Sequence, residues 1–204
     1  MGYDVSFIKR SWVWLRRCHH CRGFGIQSPS AYHFVRYVIN EHYPYYAYQD
    51  LREASTALTV IEKKLCRLYL RIANSCQPKR CVCLPSVNDI AMRYIQRGCK
   101  KVNIDNVSAT EVVKEHTSFE GADLIIITYN DEINNICDDI AGKILLSARE
   151  STIVIIEGIG IGNHPTPLWE ILKSKAPGDT FDLYYCGIIL FRKKENRQDY
   201  IINF

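Results

Sequence analysis

The residues from Cys83 to Asp89 read Cys-Leu-Pro-Ser-Val-Asn-Asp and have the pattern of a turn that joins a buried strand to a helix. In an open parallel sheet, ligands bind at the carboxyl ends of the strands, so the backbone of such a turn lies beside the ligand. A turn that cradles a phosphate or an adenosine needs glycine, which has no Cβ to obstruct the approach. This turn contains no glycine. The sequence therefore predicts a turn placed like that of a nucleotide-binding fold, with a binding loop altered by the lack of glycine.

A cluster of thiols and imidazoles, Cys18-His19-His20-Cys21, carries side chains that bind zinc. Structural zinc needs four ligands at tetrahedral positions, and four adjacent residues cannot all reach one ion. Further ligands such as Cys81 and Cys83, or His164, would be required. The alternative is a turn with reduced thiols and solvent-exposed imidazoles, and we assign no metal ligand.

Three glycines at positions 158, 160 and 162 follow a predicted strand and superficially match a dinucleotide-binding loop. They come late in the sheet and lack the spacing of that motif, so the sequence favours a flexible loop. His164, which follows, could act as a base in a cleft, or it could be a solvated loop residue. The chain has no G-x-S-x-G elbow and no family cysteine signature. We therefore assign no catalytic residue.

Predicted strands and helices alternate along the second part of the chain. Asp105 closes the second strand, Glu157 follows the fourth, and Gly187 is the predicted turn of a terminal hairpin. The strands are expected at 81–84, 102–104, 124–128, 153–156, 181–185 and 188–192. This order predicts an α/β fold with a doubly wound, mainly parallel sheet and antiparallel strands at one edge.

A helical segment precedes this domain. Ser28-Pro29 has the pattern of a helix N-cap followed by proline at the first helical position. Apolar residues at helical spacing predict a long helix over 56–76. Tyrosines at 43, 45, 46 and 48 could stack on a ligand ring or cover the edge of a core. We predict a helical segment over residues 1–55 and an α/β domain over residues 56–204.

The net charge of the chain is +4, and its first 26 residues carry five basic side chains against one acidic side chain. A basic end with Trp12 and Trp14 could contact nucleic acid or an anionic membrane surface. The alternative is a solvated helix whose arginines flank a docked tryptophan face. No apolar run is long enough to span a membrane, and no secretory signal is present. Reduced thiols in the cytoplasm fit the nine cysteines best.

The succession of elements resembles the class I S-adenosylmethionine-dependent methyltransferases, in which a terminal hairpin inserts the last strand antiparallel. The likeness is closest to bacterial O-methyltransferase-like proteins with an N-terminal helical segment. The stretches that carry it are 23–29, 45–51, 78–84, 122–131, 153–158 with Leu168-Trp169, and 181–193.

This resemblance implies a cofactor site at the strand ends, formed by Leu84, Pro85, Ser86, Asp105 and Thr128. Asp105 stands where the family has the acid that binds the ribose hydroxyls, since a carboxylate accepts from both. The same residue could instead cap the next helix. The family's acid and glycine-rich loop after the first strand are missing here.

The middle of the chain is also short for this family, with 17 residues between Asp105 and Asp123. A complete crossover needs about twice that length, so one crossover is expected to be shortened, with loss of part of the adenine pocket. Glu157 stands where metal-dependent relatives carry an acid, but one carboxylate makes a weak divalent-metal site.

Three functions remain open. The first is a methyltransferase-like protein that has lost or weakened S-adenosylmethionine binding and acts as a binding or regulatory module. The second is an active methyltransferase on a small molecule, and the third is an adaptor that binds nucleic acid or a membrane surface through its basic end. A small molecule or a protein is the expected partner, nucleic acid is not favoured, and edge strands or tryptophans could form a homodimer.

Overall fold

The computed structural model describes residues 6–20, 23–85, 87–114, 119–128, 130–160 and 166–204. The chain divides into two compact units. A helical unit contains residues 1–77, 88–102 and 201–204, and a sheet unit contains residues 78–87 and 103–200. The predicted boundary between residues 55 and 56 stays a prediction.

The sheet has seven strands in the order β2-β1-β3-β4-β6-β5-β7. Strands β1 to β4 pair in parallel, whereas β6 lies antiparallel to both β4 and β5. The strands are β1 (Arg80–Leu84), β2 (Asn103–Asn106), β3 (Leu124–Thr128), β4 (Ile153–Glu157), β5 (Thr180–Asp182), β6 (Cys186–Leu190) and β7 (Asp199–Ile201). The terminal hairpin therefore inserts its second strand beside β4, as predicted.

The central strands are buried on both faces, as their continuous apolar sequences require. One face packs with the helices of this unit into a core that includes Val82, Ile125, Val154 and Trp169. Residues of the opposite face, such as Ile126, are fully buried too. The helices of the sheet unit are α6 (Ala109–Lys114), α7 (Asp131–Asn135), α8 (Cys137–Ser147) and α9 (Pro167–Lys175). The predicted fold class, a doubly wound and mainly parallel α/β sheet with an antiparallel hairpin, is confirmed.

The turn of the hairpin is not at Gly187, where the sequence predicted it. Tyr184 makes the turn with a φ of 69°, and its backbone N–H donates to Oδ1 of Asp182 at 2.7 Å. Gly187 lies inside β6, paired with Ile156 and Asp182. A Cβ at this position would overlap the ring of Trp169, so the glycine provides space for an aromatic side chain.

The interval between β2 and β3 is short, as the sequence indicated. Its described part holds α6, and β2 forms one edge of the sheet. Ser108 caps α6: its N–H and hydroxyl donate to the carboxylate of Glu111, at 2.6 and 2.8 Å, and these bonds lower the pKa of Glu111. No strand occurs between β2 and β3 in residues 107–114 and 119–123, which supports a reduced crossover.

The helical unit contains α1 (Phe7–Arg16), α2 (Pro29–Phe34), α3 (Tyr46–Asp50), α4 (Val60–Cys76) and α5 (Asp89–Gly98), and α2 continues as a π-helical turn over Val35–Ile39. Ser28 caps α2 as predicted. Helix α4 begins later than predicted because Thr59 and Glu62 form a reciprocal capping box. Asn88 caps α5.

Helices α4 and α5 approach closely at Gly98, the last residue of α5. A Cβ there would overlap the carbonyl oxygen of Leu70 and lie 2.9 Å from the Cβ of Ala73. The glycine therefore serves close helix packing rather than a left-handed backbone conformation. No described helix combines the length and apolar character needed to cross a bilayer.

Candidate strand-end site

The carboxyl ends of β1 and β3 mark the point at which the chain changes direction across the sheet. From β1 the chain goes to β2 on one side, and it then returns to the other side for β3. In open α/β sheets this switch point is where ligands bind. Leu84 and Thr128, both predicted site residues, are the last residues of these two strands.

The turn after β1 presents little polar surface in its described residues. Leu84 is fully buried and Val87 is 8% exposed, so both side chains belong to the core. Pro85 is half-buried, and the Leu84–Pro85 peptide bond is cis. Ser86, the remaining predicted residue of this turn, lies outside the described residues. Proline has no N–H, so Pro85 offers an approaching ligand only its carbonyl oxygen.

Thr128 and Glu157 are paired neighbours at the ends of β3 and β4. The hydroxyl of Thr128 donates to Oε2 of Glu157 at 3.1 Å, and Glu157 is 6% exposed. The pair therefore brings a predicted site residue together with the acid expected at the end of the fourth strand. A hydroxyl that donates its hydrogen to a buried carboxylate keeps its lone pairs to accept a hydrogen bond from a ligand.

Asp105 is inside β2, whereas the sequence predicted that it closes the strand. It pairs with Val82, and Asn106 is the last residue of β2. Oδ2 of Asp105 accepts from Nε of Arg80 at 2.6 Å, and Oδ1 accepts from Nδ2 of Asn103 at 3.1 Å. Both carboxylate oxygens are thus engaged by neighbours on the sheet. Its role as a ribose acceptor stays a prediction.

The end of β4 is joined to the terminal hairpin by backbone hydrogen bonds. The N–H of Gly158 donates to the carbonyl of Tyr185 at 2.7 Å, and that of Gly160 donates to Tyr184 at 2.9 Å. Gly158 has a φ of 81°, which requires glycine. A Cβ at Gly160 would lie 2.7 Å from the carbonyl oxygen of Tyr184. These two glycines therefore form a turn bonded to the hairpin, whereas Gly162 and His164 lie outside the described residues.

The sequence carries possible zinc ligands at Cys18 to Cys21. Within the described ranges, no three His, Cys, Asp or Glu side chains lie close enough together to hold an ion. Cys21 and His164, two members of the proposed set, lie outside those ranges. The eight described cysteines are all reduced.

Sequence reasoning missed two residues that bear on the role of Asp105. Asn106 is exposed at the end of β2, the place expected for Asp105. Arg80, at the start of β1, is the cation that holds Asp105. Its partner lies 25 positions away, and only the strand register brings the two side chains together. The sequence predicted that β2 ends at residue 104, whereas the strand ends at Asn106.

No protein-family model and no curated protein sequence matches this chain. Solved structures with a similar fold include the Podospora anserina methyltransferase PaMTH1 bound to S-adenosylhomocysteine, with 13% identity over 96% of this chain and 100% of that one, at a TM-score of 0.49. An O-methyltransferase from Bacillus cereus, bound to the same ligand, has 10% identity over 75% of this chain and 93% of that one, at a TM-score of 0.45.

The O-methyltransferase TomG from Streptomyces achromogenes, involved in tomaymycin synthesis and bound to S-adenosylmethionine, has 12% identity over 70% of this chain and 85% of that one, at a TM-score of 0.43. At this level of identity the similarity concerns the fold, and the bound ligands are properties of those proteins. The strand order and the inserted hairpin of this chain give it a class I methyltransferase-like fold.

Proposed function

We propose that this methyltransferase-like protein has lost or weakened S-adenosylmethionine binding and acts as a binding or regulatory module. The observation that carries the proposal is the position of Asp105, whose two carboxylate oxygens accept from Arg80 and Asn103. A carboxylate in this arrangement must give up a charge-assisted hydrogen bond before it can accept from a ribose.

Two further features support weakened binding. The turn after Leu84 has no glycine, and Pro85, in its described part, has no backbone N–H to donate to the cofactor. The shortened interval after β2 leaves that strand at the sheet edge, where the family continues the sheet beside the adenine. These residues do not fit S-adenosylmethionine as the family binds it, so we derive no chemical step through the cofactor.

The test is calorimetric titration of the full chain with S-adenosylmethionine and with S-adenosylhomocysteine. We expect no saturable heat signal at ligand concentrations up to about 1 mM. The binding free energy would then be weaker than about 4 kcal/mol. A micromolar dissociation constant for either ligand would overturn the proposal. Circular dichroism of the same sample establishes that the protein is folded.

An active methyltransferase is the second candidate, and the partial exposure of Asp105 favours it. This side chain is 32% exposed and so remains accessible to a ligand that displaces Arg80. The backbone of Pro85 and Ser86 would then lie near the cofactor carboxylate. Methyl transfer would rest on proximity and alignment, which can lower a barrier by about 7–11 kcal/mol. Asp105→Ala should weaken cofactor affinity sharply, and an unchanged dissociation constant would exclude this candidate.

A membrane-surface adaptor is the third candidate, and helix α1 favours it. None of its residues is buried, and five large apolar side chains are exposed: Phe7, Ile8, Trp12, Trp14 and Leu15. At 100° per residue these side chains share one face and Lys9 and Arg10 lie on the other, whereas Arg16 borders the apolar face with its guanidinium 4.5 Å from the centre of the Trp12 ring. Cations opposite a Trp- and Phe-rich face are typical of helices that lie in an anionic lipid interface.

Co-sedimentation with phosphatidylserine-containing vesicles tests the third candidate. We expect binding that falls at high salt, and Lys9→Gln should weaken it about five-fold, since each cation near the surface contributes about 1 kcal/mol. Trp12→Ala should weaken binding at any salt concentration. Arg52→Ala, an exposed change outside α1, is the control. Equal binding to neutral vesicles, or binding to RNA alone, would contradict a membrane-surface role.

A further inference from the structure

The helical unit contains a cleft of about 740 Å³ that the strand-end site does not use. Every residue that lines it belongs to the helical unit. Helix α4 contributes Arg67 and Arg71, Asn40 follows the π-helical turn, and Trp14, Tyr48 and Phe204 contribute aromatic rings. Its volume is in the range of small-molecule sites.

Arg71 brings a buried positive charge to this cleft. The residue is 7% exposed, and its guanidinium donates to the carbonyls of Val38 at 2.7 Å and Ile39 at 2.8 Å, and to the hydroxyl of Tyr48 at 3.3 Å. These acceptors are all neutral, and Arg71 forms no ion pair within the described part of the chain. Arginine does not lose its proton in proteins, so this charge lacks a counter-ion.

Asn40 and Arg67 add further donors to the same cleft, beside Lys64, whose Nζ lies 4.7 Å from the centre of the Phe204 ring. Nδ2 of Asn40 is buried and has no hydrogen-bond partner among the described residues. Arg67 places its guanidinium 5.0 Å from the centre of the Tyr48 ring, and the structure gives it no carboxylate partner in the described ranges. A buried donor without an acceptor costs free energy, which an acceptor on a ligand would recover.

The acid that lines the cleft does not neutralise these cations. Glu41 accepts from the hydroxyl of Tyr45 at 2.7 Å and forms no ion pair with Arg67 or Arg71. The cleft therefore presents guanidinium and amide donors beside aromatic rings. Guanidinium groups match the geometry of carboxylate and phosphate oxygens, and aromatic side chains stack on planar ligands.

We propose that this cleft binds a small planar aromatic ligand that carries a carboxylate or a phosphate group. The anion accepts from Arg67, Arg71 and Asn40, and the ring packs against the aromatic side chains. This site is independent of the strand-end site and goes beyond the proposed function, since none of its lining residues comes from the sheet unit.

Calorimetry of the full chain with four probes tests the proposal. Salicylate carries a ring and a carboxylate, AMP carries a ring and a phosphate, adenosine carries only the ring, and inorganic phosphate carries only the anion. We expect salicylate or AMP to bind with a dissociation constant below about 1 mM and at least about 10-fold more tightly than both incomplete probes. No binding of either complete probe would overturn the proposal.

Variants assign the binding to the cleft. Arg67→Ala should weaken the better probe by about 10-fold or more, since a hydrogen bond to a charged group contributes about 1.5–3 kcal/mol. Arg52→Ala, which removes an exposed arginine of the same unit outside the cleft, should leave affinity unchanged. Arg71 also donates to two backbone carbonyls, so its substitution could disturb the fold. Arg67→Ala and Tyr48→Ala are therefore the informative changes. Unaltered affinity in both variants would overturn the proposal.

Discussion

Nε of Arg80, the first residue of β1, donates to Oδ2 of Asp105 on β2 across 2.6 Å. The same guanidinium donates through Nη1 to the carbonyl of Glu120, just before β3. One side chain therefore connects three segments at the start of the sheet. The acid that sequence reasoning assigned to a ligand takes part in this connection.

The Arg80–Asp105 pair should stabilise the fold modestly, because both side chains are about one-third exposed. A double-mutant cycle with Arg80→Ala and Asp105→Ala should give a coupling energy of about 0.5–1 kcal/mol that decreases with added salt. Urea unfolding provides the measurement. Arg192→Ala, an exposed change in the same unit, is the control. A coupling near zero would show that Arg80 does not restrain Asp105.

Gly98→Ala should destabilise the protein by about 1–3 kcal/mol, because the added methyl group overlaps the backbone of α4 and over-packs the contact. The matched control is Gly142→Ala in α8, where a Cβ has no neighbour within 4 Å. The control should stabilise by about 0.5–1 kcal/mol, since alanine is the better helix former. Thermal or urea unfolding distinguishes the two, and equal effects would contradict the close approach of the helices.

Gly187→Ala should displace the ring of Trp169 and lower stability by about 1–3 kcal/mol. The near-ultraviolet circular dichroism of Trp169 should change with it. In a Trp169→Leu background the same glycine substitution should cost less, because the overlapping ring is gone. An identical cost in both backgrounds would contradict the overlap between the added methyl group and the ring of Trp169.

Tyr45 provides a pH-dependent prediction. Burial, then the hydrogen bond to Glu41 and the charge of that carboxylate, raise the pKa of Tyr45 from 10.0 to about 12. The folded state therefore favours the neutral phenol, and its stabilising effect is complete below pH 10 and is lost as pH rises toward 12. Tyr45→Phe should cost about 1 kcal/mol at pH 8, and the difference from wild type should shrink above pH 10.

Urea unfolding at several pH values measures this difference. Tyr46→Phe is the control. Tyr46 is 86% exposed, so removal of its hydroxyl should leave the free energy of unfolding unchanged. A cost for Tyr45→Phe that stays constant between pH 8 and pH 12 would exclude the bond to Glu41.

The sequence predicted the strands of the sheet better than the roles of the residues at the candidate site. Continuous apolar runs placed β3 at Leu124–Thr128 with correct bounds, and a short-range signal located the cap at Ser28. These features depend on residues within a few positions of one another. The fold class followed from the alternation of strands and helices along the chain, whereas the strand order came from the structure.

Other features depend on contacts between distant residues. Gly187 was taken for a turn because glycine favours turns, whereas its position is set by Trp169, 18 positions earlier. The cleft of the helical unit joins Trp14, Asn40, Arg71 and Phe204, which no local pattern connects. Asp105 was assigned by its place after an apolar run, and only the register with β1 revealed Arg80.

The completely buried thiols of Cys81 and Cys83 in β1 have a practical consequence. Alkylating reagents reach such groups only when the central strand opens, so the rate of modification reports the free energy of that opening. Partly exposed thiols such as Cys18 should be consumed at once. The rate at which these two thiols gain the mass of the alkyl group, followed by mass spectrometry, therefore measures how often the centre of the sheet opens.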